Sequence, residues 1–249
     1  MKNKLMEQDT IIQVENLTKQ FGDFTAVKGI SFEVKKGEIF GFLGANGAGK
    51  TTAMKMLIGI SRPTSGTAVV AGFNVAKDAN EVKKNIGYMS QRFSLYDDLT
   101  IKENIRFFGG IYGLKPKLIQ EKTVELIKRL DMENVADERV GQLPLGWKQK
   151  LAFSVALLHE PKIVFLDEPT GGVDPITRRQ FWEMIDEEAH NGTTIFVTTH
   201  YMDEAEYCTR VSIMVDGKIE ALDTPKKLKE QFKVSGMNEV FLKLARNVE

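Results

Sequence analysis

Cysteine is almost missing from this chain. The single copy, Cys208, has no internal disulfide partner, which fits a reducing cytosol. No repeated Cys/His spacing surrounds it, so it reads as a packing residue and not as a nucleophile. A charge excess is missing too, since 34 Lys and Arg balance 34 Asp and Glu over 249 residues. Nucleic-acid binders usually carry a basic excess, so no nucleic-acid partner is expected. Long apolar runs are absent, and nothing reaches the ~18 residues of a spanning helix. Residues 1–10 are polar and lack the apolar core of a signal peptide. The chain is therefore expected not to cross a membrane by itself, although it suits a place beneath one on a membrane partner. Repeats, low-complexity segments and Pro/Ser/Gly-rich linkers are absent as well. The remainder is an ordinary globular composition, 42% hydrophobic and 27% charged, enough for one large domain or two small ones.

Against that plain background one stretch stands out. Gly44-Ala45-Asn46-Gly47-Ala48-Gly49-Lys50-Thr51-Thr52 fits the phosphate-loop pattern G-x-x-x-x-G-K-[ST] at every fixed position. Ile39-Phe40-Gly41-Phe42-Leu43 reads as a buried strand entering it. Ala53, Leu57 and Ile60 recur at helical spacing and predict a helix from about Lys50. Strand, loop and helix are the parts an anion site needs: the glycines let the backbone N–H groups of Asn46, Gly47, Ala48 and Gly49 converge, and the helix N-terminus adds partial positive charge. Lys50 can reach β- and γ-phosphates, the Thr51 hydroxyl can ligate Mg²⁺, and Thr52 offers a hydroxyl near the α-phosphate.

Other candidates come from strand ends. Residues 11–15 and 27–34 predict antiparallel strands, with Phe21-Gly22 between them, where an exposed aromatic can stack on a base. Residues 67–70 and 86–89 predict further strands, the second ending in Ser90-Gln91, whose amide can ligate a metal and orient a water. Ile163-Val164-Phe165-Leu166 predicts a strand buried on both faces, with Asp167 and Glu168 where it emerges. Ligands bind at the carboxyl ends of strands in open α/β sheets, so Asp167 suits Mg²⁺, directly or through water, and Glu168 suits polarising an attacking water. Thr194–Thr199 predicts a strand ending at His200, a third polar residue at a strand end.

Helices are expected between 95 and 160. Thr100-Ile101-Lys102-Glu103 is a capping box, with Ile105, Phe108 and Ile111 or Tyr112 after it; Gly113 and Pro116 break that helix. Residues 117–130, with Ile119, Val124, Ile127 and Leu130 as core, and 148–158, with Leu151, Val155 and Leu158, predict two more. Asp174-Pro175 predicts a helix start, with Phe181, Ile185 and Ala189 buried and Gly192 as its end. Asp216-Gly217 predicts a hairpin between 211–215 and 219–222. The Lys-rich tail from Pro225 predicts a helix with a solvated face.

With these residues placed, the chain resembles an ATP-binding cassette ATPase, the nucleotide-binding subunit of ABC transporters, over about 11–224. Gly44 to Thr52 resembles its Walker A loop, and Phe165 to Glu168 the end of Walker B with Glu168 as catalytic glutamate. Gln91 resembles the Q-loop, Asp174 the D-loop, His200 the switch histidine and Phe21 the adenine-stacking aromatic. The resemblance implies an α/β fold: a P-loop NTPase (RecA-like) core over about 10–90 and 161–224, an N-terminal antiparallel β subdomain, an inserted helical subdomain over about 91–160 and a helical tail over 225–249. It implies ATP and Mg²⁺ as cofactors, with Thr51, Gln91 and, through water, Asp167 as metal ligands. It also implies two partners, a membrane-spanning transporter subunit and a second ATPase subunit closing head to tail, and a cytoplasmic place on the inner face of the membrane.

The family's signature loop, usually Leu-Ser-Gly-Gly-Gln, is presented to the other subunit's γ-phosphate. Here Leu143-Pro144-Leu145-Gly146-Trp147 stands in its place. Pro144 offers neither hydroxyl nor backbone N–H, while Gly146 keeps its N–H, in trans, and the helix start keeps its dipole. Either the site is weakened or the loop is a working variant. Tyr88-Met89-Ser90-Gln91, Asn104-Ile105, Ile111-Tyr112-Gly113-Leu114 and His200-Tyr201-Met202-Asp203-Glu204-Ala205 resemble ABC-2 type drug and polysaccharide exporters. Two rival functions stay open: a regulatory nucleotide-binding subunit with low turnover, and an ABC protein acting on ribosomes or DNA.

Overall fold

The computed structural model describes residues 9–91 and 95–246. Most of the polar N-terminal stretch, the three residues after Gln91 and the last three of the tail lie outside the described residues. The chain opens with β1 (Thr10–Phe21) and β2 (Phe24–Lys35), an antiparallel hairpin in which Phe21 pairs with Phe24 across Gly22-Asp23. Both strands run longer than the hydrophobic alternation predicts. Register shifts between Val14 and Leu17, with Asn16 at φ 48°, break the period-two pattern, so the second half of β1 does not read as strand.

Next come β3 (Ile39–Leu43), α1 (Lys50–Leu57), β4 (Ser65–Val70), β5 (Phe73–Asn74), α2 (Ala79–Asn85) and β6 (Ile86–Met89). Helices α3 (Ile101–Ile111), α4 (Pro116–Arg129) and α5 (Leu145–Ala156) come after them. The chain then alternates through β7 (Ile163–Asp167), α6 (Pro175–His190) and β8 (Thr194–Thr199). It closes with the hairpin β9 (Arg210–Val215) and β10 (Lys218–Asp223), then α7 (Pro225–Phe232) and α8 (Met237–Arg246). Asp216 and Gly217 both take positive φ, as a two-residue hairpin turn demands.

Two sheets result. One is four-stranded and antiparallel, in the order β2-β1-β4-β5; the other is six-stranded, in the order β10-β9-β3-β8-β7-β6, and parallel apart from β10. This is the α/β phosphate-loop NTPase core with an antiparallel β region, and α3 to α5 lie between β6 and β7 in the chain. Alternation along β3 sends Phe40 and Phe42 to one face and Ile39 and Leu43 to the other, into two separate cores. The first core stacks Phe40, Phe42 and Phe196 with Phe32 of β2, joining the two sheets, and Phe165 lies 5.2 Å from Phe196. Helices α1 and α2 pack in the first, while the second takes the helices from α3 onward. Gly41 faces it, where a Cβ would meet Cys208 Sγ at 2.8 Å. Cys208 is buried there, its thiol pushed up by burial and by the charge of Glu204, as suits a packing residue.

Several core assignments change. Helix α1 ends at Leu57 and the chain turns at Gly59, φ 70°, so Ile60 stands 57% exposed and Ile58 is buried instead. On α4, Val124 is exposed while Leu126 and Thr123 are buried; the Thr123 hydroxyl donates to the Ile119 carbonyl at 2.6 Å, which lets a polar residue face the core. Trp182 and Glu188 join Phe181 and Ile185 on the buried side of α6, with Arg129 2.6 Å from Glu188. The tail is not a solvated appendage. Its lysines face outward, but Leu228, Met237, Val240 and Leu244 are buried in the helical core.

Candidate active site

The carboxyl ends of β3, β7 and β8 lie side by side, so the loops leaving these three strands meet. After β3 the chain curls through Gly47 (φ 82°) and Gly49 (φ 102°). A Cβ on Gly49 would lie 2.4 Å from the Ala26 carbonyl oxygen, so both space and backbone require glycine there. Ala45, Asn46 and Gly47 form the exposed rim, and Ala48 is buried beneath them. Lys50 opens α1 and is only 4% exposed; its Nζ donates to the carbonyls of Gly44 (2.8 Å) and Ala45 (3.1 Å). Burial pulls its pKa below the usual lysine value, against the opposing charges of Glu168 and Asp167. A desolvated cation wrapped by its own loop gains from an anionic ligand. Thr51 and Thr52 come next on the first turn, both half-buried.

Asp167 closes β7 and is buried; its Oδ1 accepts from the Thr198 hydroxyl at 2.6 Å and the Thr51 hydroxyl at 3.3 Å. Glu168 comes directly after in left-handed backbone, φ 48°, with its N–H donating to the carbonyl and hydroxyl of Thr198 at 3.0 and 3.1 Å. Such a conformation costs about 1–3 kcal/mol and clusters at functional sites. It turns the carboxylate onto the candidates from the other strand ends. Gln91 Nε2 donates to Glu168 Oε2 at 2.9 Å, His200 Nδ1 lies 3.1 Å from the same oxygen, and Lys50 Nζ lies 3.5 Å from Oε1. The histidine contact has ion-pair distance but not hydrogen-bond alignment, as is common before substrate closes a site. Tyr88, one strand over, has its phenol pushed up to about 12 by burial and by the Asp167 charge.

The donor set suits a hard cation. Thr51 Oγ1 and Asp167 Oδ1 are neighbouring oxygens, and Gln91 can add a carbonyl. Among the described residues no group of three or more His, Cys, Asp and Glu side chains holds a metal alone. Mg²⁺ characteristically takes one or two protein ligands and completes its shell with water and substrate phosphates.

Three predicted residues stand outside this cluster. Phe21 sits at the β1–β2 turn, 54% exposed, with Lys19 Nζ 5.0 Å from its ring centre. Asp174 caps α6: its carboxylate accepts from the N–H groups of Ile176 and Thr177 at 3.0 Å and from the Thr177 hydroxyl, and those bonds, the hydroxyl first, hold it below the usual range. Pro144 precedes the first residue of α5, and Leu145 and Trp147 are exposed. Gly146 is pressed against α6, where a Cβ would meet Thr177 Cγ2 at 2.4 Å. Pro144, Trp147, Gly172 and Asp174 share a cleft of 290 Å³. Among the described residues no hydrogen bond or ion pair joins Pro144–Trp147 to Lys50, Asp167 or Glu168.

Sequence reasoning missed the threonines. Thr198 orients both acidic residues, and Thr170 and Thr199 carry a buried carboxylate, Glu204, between them. The available signal was the Thr-Thr pair directly before His200, after the apolar run Ile195-Phe196-Val197.

Comparison with known proteins gives the family. The ABC transporter family model matches residues 27–171, which take in the phosphate loop, Gln91, Pro144–Trp147, Asp167 and Glu168 and stop short of Asp174 and His200. The chain is 48% identical over 223 residues to the probable multidrug ABC transporter ATP-binding protein YbhF of Escherichia coli (strain K12), covering 90% of this chain but only 39% of that one. It is 36% identical over 247 residues to the linearmycin resistance ATP-binding protein LnrL of Bacillus subtilis (strain 168), covering 96% of this chain and 79% of LnrL. Among solved structures, a dimeric ATP-binding cassette in a post-hydrolysis state bound to ADP and Pi superposes with TM-score 0.76 at 26% identity, over 86% of this chain and 98% of that one. No helix among the described residues is long and apolar enough to cross a membrane.

Proposed function

Since the chain belongs to the ABC transporter family, as one of its ATP-binding ATPases, we propose how its residues bind and hydrolyse ATP to drive an exporter. ATP seats its phosphates on the N–H groups of Asn46, Gly47, Ala48 and Gly49, with Lys50 against the β- and γ-phosphates and Thr52 near the α-phosphate. Phe21 stacks on the adenine. Thr51, Gln91 and, through water, Asp167 would hold Mg²⁺. When bound, the ion neutralises charge on the β- and γ-phosphate oxygens. Glu168 takes a proton from the attacking water as its oxygen bonds to the γ-phosphorus and the bond to the β–γ bridging oxygen breaks, leaving ADP and phosphate, while His200 and Gln91 respond to the γ-phosphate. A second cassette closes head to tail, bringing the Gly146 N–H of that copy to the γ-phosphate, with Asp174 beside the junction.

The observation that carries this reading is the convergence of Lys50, Gln91 and His200 on the Glu168 carboxylate, beside Asp167 and Thr51. Phosphoryl transfer asks the protein mostly for position and charge, and this cluster supplies both. The relatives are named for multidrug transport and linearmycin resistance, which supports export through a separate membrane subunit. That subunit docks beside Gln91 and the helical subdomain of 91–160, where the exposed rings of Tyr96 and Phe107 meet at 4.9 Å. The protein then works on the cytoplasmic face of the membrane. A low-turnover regulatory subunit is the second reading, and the apolar Pro144-Leu145-Trp147 loop is the feature that favours it.

Steady-state ATPase of wild type and Glu168→Gln, each with MgATP, tests the assignment. The substitution removes the base while keeping shape and the contact to Gln91, so turnover falls at least about 100-fold, the order general-base catalysis contributes. Near wild-type turnover in Glu168→Gln would remove Glu168 from its role.

A further inference from the structure

A short way beyond the end of β8, the strand beside Asp167, a carboxylate lies fully out of solvent. Glu204, on the 3₁₀ segment Met202–Tyr207, is 0% exposed. Its Oε1 accepts the Thr170 hydroxyl and its Oε2 the Thr199 hydroxyl, each at 2.5 Å, and both threonines are buried. Thr170 is two residues past Glu168, and Thr199 is directly before His200. The Thr199 hydroxyl also accepts the Tyr201 N–H at 3.0 Å. On the third side stands Arg178 of α6, whose own N–H donates to the Asp174 carbonyl at 3.0 Å. Its guanidinium lies over the Tyr201 ring at 4.2 Å and 3.8 Å from both Asp203 and Glu204, and its buried Nε makes no hydrogen bond.

We propose that Glu204 is a positioning residue that fixes the Glu168 loop, the His200 loop and the start of α6 to one another, so that water activation and γ-phosphate sensing move as one body with the Asp174 end of the helix. The inference rests on the role given to Glu168 above. An ionised carboxylate has acceptors only, so both hydroxyls must donate to it and neither can turn away. Burying a charge is poor evidence for a stabilising role, because the desolvation cost offsets much of the gain from pairing. Its worth lies in geometry: one side chain reads two strand ends and, through charge, a helix. Among the described residues no hydrogen bond or ion pair joins the Glu204 carboxylate to the phosphate loop or Phe21, so ground-state ATP binding is left alone.

The test uses the full chain with Glu204→Gln, which keeps shape but replaces an acceptor by a donor, and with Thr170→Val and Thr199→Val, which remove one hydroxyl each from the other side. If Glu204→Gln fails to fold, the two near-isosteric valine variants carry the test. The expected result is a kcat loss of about tenfold to 100-fold, the scale set by ångström misplacement of reacting groups. KM for ATP stays within about twofold, because uniform binding is untouched. The double valine variant loses little more than Glu204→Gln alone, since groups that act as a unit are not additive. The chain has three histidines, so the imidazole NMR signal of His200 can be assigned by its loss in His200→Gln. It shifts in Glu204→Gln and Thr199→Val while the other two stay. Folded variants with kcat within twofold of wild type overturn the inference, as does a kcat loss matched by an equal loss of folded protein. Glu168→Gln in the same assay separates the two claims. If it keeps turnover, the role of Glu168 fails; if it is inactive while the Glu204 and threonine variants run at wild-type rate, only the present inference fails.

Discussion

Lys50, Asp167, Glu168 and His200 cluster at the carboxyl ends of three neighbouring strands, and the first three are nearly or wholly buried. Pro144, Leu145 and Trp147, at the start of α5, are exposed and meet none of them. Both regions are helix starts or strand ends, yet only the first brings its polar side chains together within one chain. The contrast separates two kinds of site. One is set by the fold of the subunit itself. The other offers a backbone N–H at Gly146, a helix dipole and an apolar rim, and under the proposed function it is a second cassette that this face meets.

The largest effect is expected where the site is self-contained. Lys50→Ala leaves melting of the free protein nearly unchanged, because the cost of desolvating the cation, which lowers its pKa, offsets what its contacts to Glu168 and two loop carbonyls contribute. Its loss shows on ligand binding. At an ATP concentration 100 times the wild-type Kd, wild type gains about 2.7 kcal/mol of stability and the variant a small part of that. Thermal unfolding with and without MgATP reads the difference. Equal shifts in the two proteins would deny the phosphate loop its function and erase the contrast.

A smaller effect is expected at the outward region. Pro144→Ser with Leu145→Gly restores a hydroxyl and a second flexible backbone at the α5 start. A charge-assisted hydrogen bond contributes roughly 1.5–3 kcal/mol and a tenfold rate change needs about 1.4. The loss of the fixed proline φ opposes it by up to about 1 kcal/mol. ATPase should therefore rise about tenfold, more steeply at high protein concentration. A double variant no faster at any concentration would show that Leu143-Pro144-Leu145-Gly146-Trp147 already works as it stands.

Legibility in the sequence divides along the same line. The phosphate loop, the apolar β7 strand with its two acids, the capping box at Thr100 and the Asp216-Gly217 hairpin are local signals, and the structure has each of them. Glu168 meeting Gln91 and His200 is long-range, but strand-end placement foretold it because a parallel sheet brings strand ends together. The hidden features depend on packing that no period reports. Asn16 interrupts β1 with a bulge, so half a strand is lost to alternation. Val124 and Thr123 exchange places because a hydroxyl can satisfy itself on its own helix. The tail is the exception: Met237, Val240 and Leu244 recur at i, i+3 and i+7, a helical stripe present in the sequence but passed over beside the lysines, and the structure buries all three. Glu204 reads as one more surface acid until Thr170 and Thr199 are seen to enclose it.

The claim that the site is completed by a second cassette meets its most direct test in the mass of Glu168→Gln by sedimentation or light scattering, with saturating MgATP and, separately, MgADP. If hydrolysis opens the pair and Glu168 drives hydrolysis, the variant is a dimer with MgATP and a monomer with MgADP, while wild type returns to monomer as ATP is spent. A Glu168→Gln protein that binds MgATP and remains monomeric at every concentration would contradict the account.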